Sequence, residues 1–194
     1  SSNIQTLDDL SGHTVSIGAE ESGTERNATQ ILEFAGMPSS LVATKNLDYI
    51  EATKELKAGD IDAFFCTAGL TTTVIDELSK ECDIRLIPLT DTVISKMLES
   101  SLAYTSEVIP AGTYTGQTTD INTIGVKSVL ITKADVSDDT IEQLTSLLFE
   151  KENEISYSNS LKLELTYDFA TDDIPIPFHD GAKRYYKACG YSTN

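Results

Sequence analysis

Two short stretches carry most of the chemistry that this sequence can offer. Ser22-Gly23-Thr24 stands between an alternating, β-branched run at residues 13–18 and a run with Ala28, Ile31, Leu32 and Ala35 at helical spacing. A helix that starts there presents unpaired backbone N–H groups and a partial positive charge, a place for a carboxylate or phosphate. Gly23 lets a ligand approach the backbone, and the hydroxyls of Ser22 and Thr24 add donors. Thr67-Ala68-Gly69 follows the apolar run at 61–66. In open α/β sheets, ligands bind outside the carboxyl ends of strands, where small residues leave room. Each stretch also has a plain alternative. The first can be a capped helix start and the second a tight strand-to-helix turn. Two such turns at one edge of one sheet raise each other's significance.

Other chemistry is sparse. No Gly-Lys-Ser/Thr follows the first turn, so it is not a P-loop, and the GxGxxG dinucleotide fingerprint is absent. GxSxG and HExxH are absent too. His13 and His179 lie far apart, and neither has a nucleophile beside it in sequence. Cys66, Cys82 and Cys189 form no CxxC pair and suggest neither a zinc site nor a disulfide framework. Cys66 reads as a buried thiol in an apolar strand. Glu20-Glu21 and Asp172-Asp173 are adjacent acids, a pattern usual on a solvated face. The residues point to a binder with no cofactor and no metal. The rival reading is a stand-alone α/β enzyme acting on a small anionic metabolite, which would need His13 or His179 within reach of Ser22 or Thr67.

The elements that must position these turns follow from periodicity and punctuation. Strands are expected at 13–18, 61–66, 84–89 and 124–132. Helices are expected at 25–35, 48–58, 71–81, 91–98, 137–150 and 180–189. Ser22 and Glu25 form a capping box, Asn46 caps the second helix and Gly59 closes it. Ser137 caps the fifth, whose buried stripe is Ile141, Leu144, Leu147 and Leu148. Gly190 stops the last helix. Residues 1–11 read as a polar lead-in, and 104–120 as irregular crossover chain. Residues 151–173 give no clear pattern beyond the alternation of Leu161, Leu163 and Leu165. The order favours an α/β fold with a mostly parallel, doubly wound sheet.

Composition narrows the partners. The 194 residues are 40% hydrophobic and 23% charged, which is globular. Lys and Arg number 14 against 31 Asp and Glu, a net charge of −17. That argues against nucleic acid or an anionic membrane as partner. No apolar run is long enough to span a bilayer.

Several stretches in this order resemble a known family. They are DLSGHTVSIGAEESGTERNATQIL (9–32), LKAGDIDAFFCTAGL (56–70), IRLIPL (84–89), VIPAGTYTGQ (108–117), VKSVLITKADV (126–136) and IPFHDGAKRYYKACGY (176–191). Together they resemble the TAXI solute receptors of tripartite ATP-independent periplasmic (TRAP) transporters. The resemblance covers most of residues 8–191.

It implies a type II periplasmic-binding-protein-like fold: two α/β lobes closing on a small ligand in an interlobe cleft. Residues 12–115 would be the complete second lobe. Residues 120–194 would return as the C-terminal remainder of a first lobe whose N-terminal part is absent here. The implied ligands are small organic acids or amino acids of the glutamate, glutamine and dicarboxylate class. The implied contacts are Ser22, Gly23, Thr24, Thr67, Ala68 and Gly69, with Tyr114 near the hinge. Glu20 and Glu21 stand where the family usually has uncharged residues. Two carboxylates within a Debye length of roughly 8–10 Å weaken an anionic ligand and leave a zwitterion or amide open. The implied partners are the membrane subunits of a TRAP transporter. The implied location is extracytoplasmic, in the periplasm or lipid-anchored at the outer face of the membrane. An incomplete lobe would also leave a sheet edge unpaired, which invites a homodimer.

Overall fold

The computed structural model describes residues 3–150 and 165–193. The chain forms two compact units, Ser1–Gly125 and Val126–Asn194.

The first unit is built on three parallel strands: β1 (Thr14–Ser16), β2 (Ala43–Lys45) and β3 (Ala63–Phe64), in the order β2-β1-β3. Val15 pairs with Thr44 on one side and with Ala63 on the other. Helix α1 (Gly23–Phe34) links β1 to β2, and α2 (Tyr49–Ala58) links β2 to β3. The order places the topological reversal between β1 and β3, so the turns leaving those two strands flank it at one rim. Val15 and Ser16 point to opposite faces, and both are buried. The sheet centre is therefore covered on both sides. One core gathers Val15 and Ile17 with Ala28, Ile31 and Leu32 of α1 and with Val93, Ile94 and Met97 of α4 (Asp91–Ser100). Helix α3 (Thr73–Glu81) packs on α2.

The helices start where the sequence puts them, with differences at the caps. Ser22 Oγ accepts the Glu25 N–H at 3.1 Å. The reciprocal arm is displaced by one residue: Glu25 Oε2 accepts from the Glu21 N–H at 2.6 Å instead of from Ser22. Asp48, not Asn46, caps α2, accepting the Glu51 N–H at 2.8 Å. Gly59 ends α2 in the left-handed region, φ +81°.

Three expectations for this unit are corrected. The lead-in expected over 1–11 is corrected from residue 3 onward: Ile4, Leu7 and Leu10 enter the core around a 3-10 turn at Asp8–Leu10. The Asp9 carboxylate stitches that turn by accepting from Gln5 N–H, Thr6 N–H and the Thr6 hydroxyl, bonds that also hold its pKa below the ordinary value. Residues 84–89 form no strand, although the Leu89 N–H reaches Asn122 O at 2.9 Å. Within 104–120, β4 (Tyr104–Ile109) is regular and pairs with β5 (Ile121–Val126).

In the second unit α5 (Asp138–Glu150) packs against α7 (Asp180–Ala188), and α6 (Tyr167–Thr171) lies between them in sequence. A Cβ on Gly181 would overlap the Asp138 carbonyl, so glycine is what lets α7 approach the start of α5. His179 caps α7, its Nδ1 accepting the Gly181 N–H at 3.1 Å. The core is aromatic: Phe149 stacks on Tyr167 at 4.4 Å and meets Tyr186 edge-on at 5.9 Å. The buried face of α5 is Ile141 and Thr145, whereas Leu144 and Leu147 are exposed, because among the described residues α7 packs on one side of this helix. The strand expected over 124–132 stops at Val126, and Leu130 and Ile131 are 68% and 72% exposed. Leu161 and Leu163 lie outside the described residues.

Candidate ligand-binding site

The two turns named from sequence leave β1 and β3 at the same rim, and one phenol ties them together. Tyr49, the first residue of α2, places its hydroxyl 2.8 Å from Thr24 Oγ1. The same hydroxyl donates to the Thr67 carbonyl at 2.9 Å and accepts the Thr67 N–H at 3.0 Å. A phenol has one proton and two acceptor positions. With its proton on Thr67 O, it accepts from Thr67 N–H and from the Thr24 hydroxyl, and it also lies against the Cys66 thiol. Thr67 is held at its side chain as well: Asn27 Nδ2 donates to Thr67 Oγ1 at 3.2 Å, while Asn27 Oδ1 accepts from the Tyr104 hydroxyl at 2.9 Å.

The first turn has its own supports. Gly18 adopts φ +101°, and a Cβ there would lie 2.8 Å from Thr24 Cβ and Cγ2. Only glycine lets the strand end run so close under the helix start. Asn46 Nδ2 donates to Gly18 O at 3.0 Å and to Glu25 Oε1 at 2.7 Å. Both Glu25 oxygens thus have donors, which tempers its charge beside the helix terminus. Glu20 and Glu21 are exposed, and Glu21 sits at φ +61°.

These bonds decide what each residue can still offer. Thr24 is buried and its hydroxyl is committed to Tyr49, so its remaining donor is the backbone N–H. Gly23 is exposed with open space where a Cβ would stand. The Ser22 oxygen is engaged as cap, leaving its proton to donate. Thr67 is exposed, its oxygen accepts from Asn27, and its proton is likewise free to donate. Ala68 and Gly69 are exposed on the turn. Tyr114 is buried, and its hydroxyl accepts the Thr72 N–H at 3.3 Å, where the second turn meets α3. Burial pushes its pKa above the ordinary value. The available groups are therefore mostly donors, suited to an oxygen-rich acceptor such as a carboxylate or amide.

Sequence reasoning passed over Tyr49, Asn27 and Tyr104, and read Asn46 as a helix cap, whereas its amide bridges Gly18 O and Glu25 Oε1. The signal for Tyr49 was its position: a long polar-tipped side chain on the first turn of a helix that starts at the same rim.

Nucleophilic alternatives find little support among the described residues. Burial pushes the Cys66 thiol up to about 11, so it stays protonated at neutral pH. His13 stands before β1, at the opposite rim, with Nδ1 3.1 Å from Asp62 Oδ2. No group of three or more His, Cys, Asp or Glu among the described residues could hold a metal ion, and no helix there is long and apolar enough to cross a membrane.

The turns and their shared phenol thus set a group of donors at one rim of the sheet. Over residues 1–190 the chain matches the model of the NMT1-like family, a solute-binding family linked to periplasmic binding proteins, and it belongs to that family.

Proposed function

We propose that this protein is the extracytoplasmic solute-binding subunit of a TRAP transporter, of the TAXI type. Its ligand is a small organic acid or amino acid of the glutamate, glutamine and dicarboxylate class. The observation that carries the reading is the Tyr49 hydroxyl, which joins the turns after β1 and β3 into one array of donors. In this reading Gly23 and Thr24 give backbone N–H groups, Ser22 and Thr67 give hydroxyl protons, and Ala68 and Gly69 leave room and amides. Tyr114 braces the second turn. The exposed carboxylates of Glu20 and Glu21 favour a ligand that also carries a cationic or amide group, so glutamine ranks ahead of succinate. Residues 12–115 act as the second lobe and 120–194 as the remainder of the first. The membrane subunits of the transporter are the partner. A second copy pairs through an unpaired sheet edge.

Binding selects the ligand-compatible conformation by differential contacts, without covalent chemistry. Thermal melting with L-glutamine, L-glutamate and succinate tests it. Ligand at about 100 times Kd adds roughly 2.7 kcal/mol and raises Tm accordingly. No shift with any of the three would refute the ligand class.

A further inference from the structure

We infer that Tyr49 is a positioning residue that sets the spacing and direction of the two ligand turns, and that it does so by standing in for a missing strand neighbour at the end of β3. The inference rests on the solute-binding reading but has its own observable. The ladder between β1 and β3 extends past the paired residues only as far as the Phe65 N–H, which reaches Ser16 O at 2.8 Å. Two residues on, both backbone polar groups of Thr67 are taken by one side-chain oxygen: the Tyr49 hydroxyl receives the N–H at 3.0 Å and donates to the carbonyl at 2.9 Å. A neighbouring strand would occupy those two groups through different residues; here a single phenol does it from the start of α2. The same hydroxyl stands 2.8 Å from Thr24 Oγ1, which ties the other turn to the same atom.

The consequence for recognition is directional. Asn27 Nδ2 lies 3.2 Å from Thr67 Oγ1, and the Tyr104 hydroxyl lies 2.9 Å from Asn27 Oδ1 and 3.1 Å from Gln30 Oε1, so Asn27 is itself anchored on its far side. Thr67 is therefore held at its nitrogen, carbonyl and side-chain oxygen, and its hydroxyl keeps one proton and one lone pair for the site. With Asn27 donating to the oxygen, that proton points away from Asn27, so Thr67 can offer the site a donor at a fixed position. Tyr49 and Asn27 act through Thr67 and need not touch the ligand themselves.

The test uses the full chain, with Tyr49→Phe as main variant and Thr24→Val to remove the same hydrogen bond from the other side. Residue-resolved amide exchange reads the positioning directly. The Thr67 N–H is expected to exchange at least tenfold faster in Tyr49→Phe, and Val15 in the sheet centre to stay within threefold of wild type. Thr24→Val is expected to give a smaller rise at Thr67. Parallel loss of protection at Val15 and Thr67 would mean that Tyr49 supports the fold in general, and would overturn the inference; so would unchanged exchange at Thr67. Titration calorimetry with L-glutamine, L-glutamate and succinate adds the second readout, with affinity for whichever binds falling at least tenfold in Tyr49→Phe. If wild type binds none of the three, the proposed ligand class fails, while the exchange ratio still decides the role of Tyr49.

Discussion

Exchanging one glycine for alanine just below the first turn tests how tightly strand and helix are joined there. Gly18 has φ +101°, and its added Cβ would meet Thr24 Cβ and Cγ2 at 2.8 Å and the Glu25 nitrogen at 3.1 Å. Holding a non-glycine residue in such a conformation costs about 1–3 kcal/mol. Carbon pairs at 2.8 Å stand well inside the optimal separation of roughly 3.5–4.0 Å, so the first turn of α1 must shift. Overpacking of that kind costs a further 1–3 kcal/mol, roughly. The shift relieves part of the clash, so Gly18→Ala should destabilise the first unit by about 2–5 kcal/mol. Urea unfolding followed by circular dichroism reads this as a lower midpoint, by about 1–2.5 M if the m-value is about 2 kcal/mol/M. The shift also pulls Thr24 from Tyr49, so solute binding should fall with it.

Gly23→Ala is the control: Gly23 has no left-handed φ, and its added Cβ meets nothing within 4 Å. That change should leave stability unchanged or raise it by up to about 1 kcal/mol, while weakening solute binding, because the methyl group enters the space a ligand would use. A Gly18→Ala midpoint indistinguishable from wild type, or a Gly23→Ala loss as large as that of Gly18→Ala, would refute the reasoning.

Three further outcomes are expected. The folded-state pKa of Cys66 is raised from 9.0 to about 11 by burial, so its neutral thiol contributes stability that is present below pH 9 and lost as pH rises from 9 to 11; alkylation of Cys66 in a Cys82→Ser, Cys189→Ser background should be negligible at pH 7 and rise only in that alkaline window, and fast labelling at pH 7 contradicts it. Ser16 Oγ is buried without a hydrogen-bond partner among the described residues, so Ser16→Ala should leave the urea midpoint unchanged or raise it, and a loss beyond about 1 kcal/mol would count against that environment. Light scattering at high protein concentration should find a dimer or larger species, and a monomer at every concentration contradicts pairing through a sheet edge.

Helix positions were legible in the sequence because each rests on local physics. Ser22 and Thr90 cap α1 and α4 through their own side chains, and Gly59 ends α2 in the one conformation that glycine adopts freely. Strand boundaries were less legible, because a strand needs a partner that the sequence does not name. Residues 84–89 and 127–132 carry strand-like apolar patterns but have no ladder, whereas Tyr104–Ile109, hidden beside a Gly- and Thr-rich stretch, finds one in β5. The lead-in misread Ile4, Leu7 and Leu10, whose spacing of three marks one face of a turn. For the candidate site, the two turns could be named from strand ends and small residues. The bonds among Tyr49, Asn27 and Thr67 could not, because they join residues 18 and 40 positions apart.

The shared site itself is tested most directly by titrating isotopically labelled protein with L-glutamine and following backbone amide resonances. The amides of Gly23 and Thr24 and those of Thr67, Ala68 and Gly69 should move together along one saturation curve, with Val15 unmoved. Shifts confined to one turn, or saturation of the two turns at different ligand concentrations, would contradict a single site built on both.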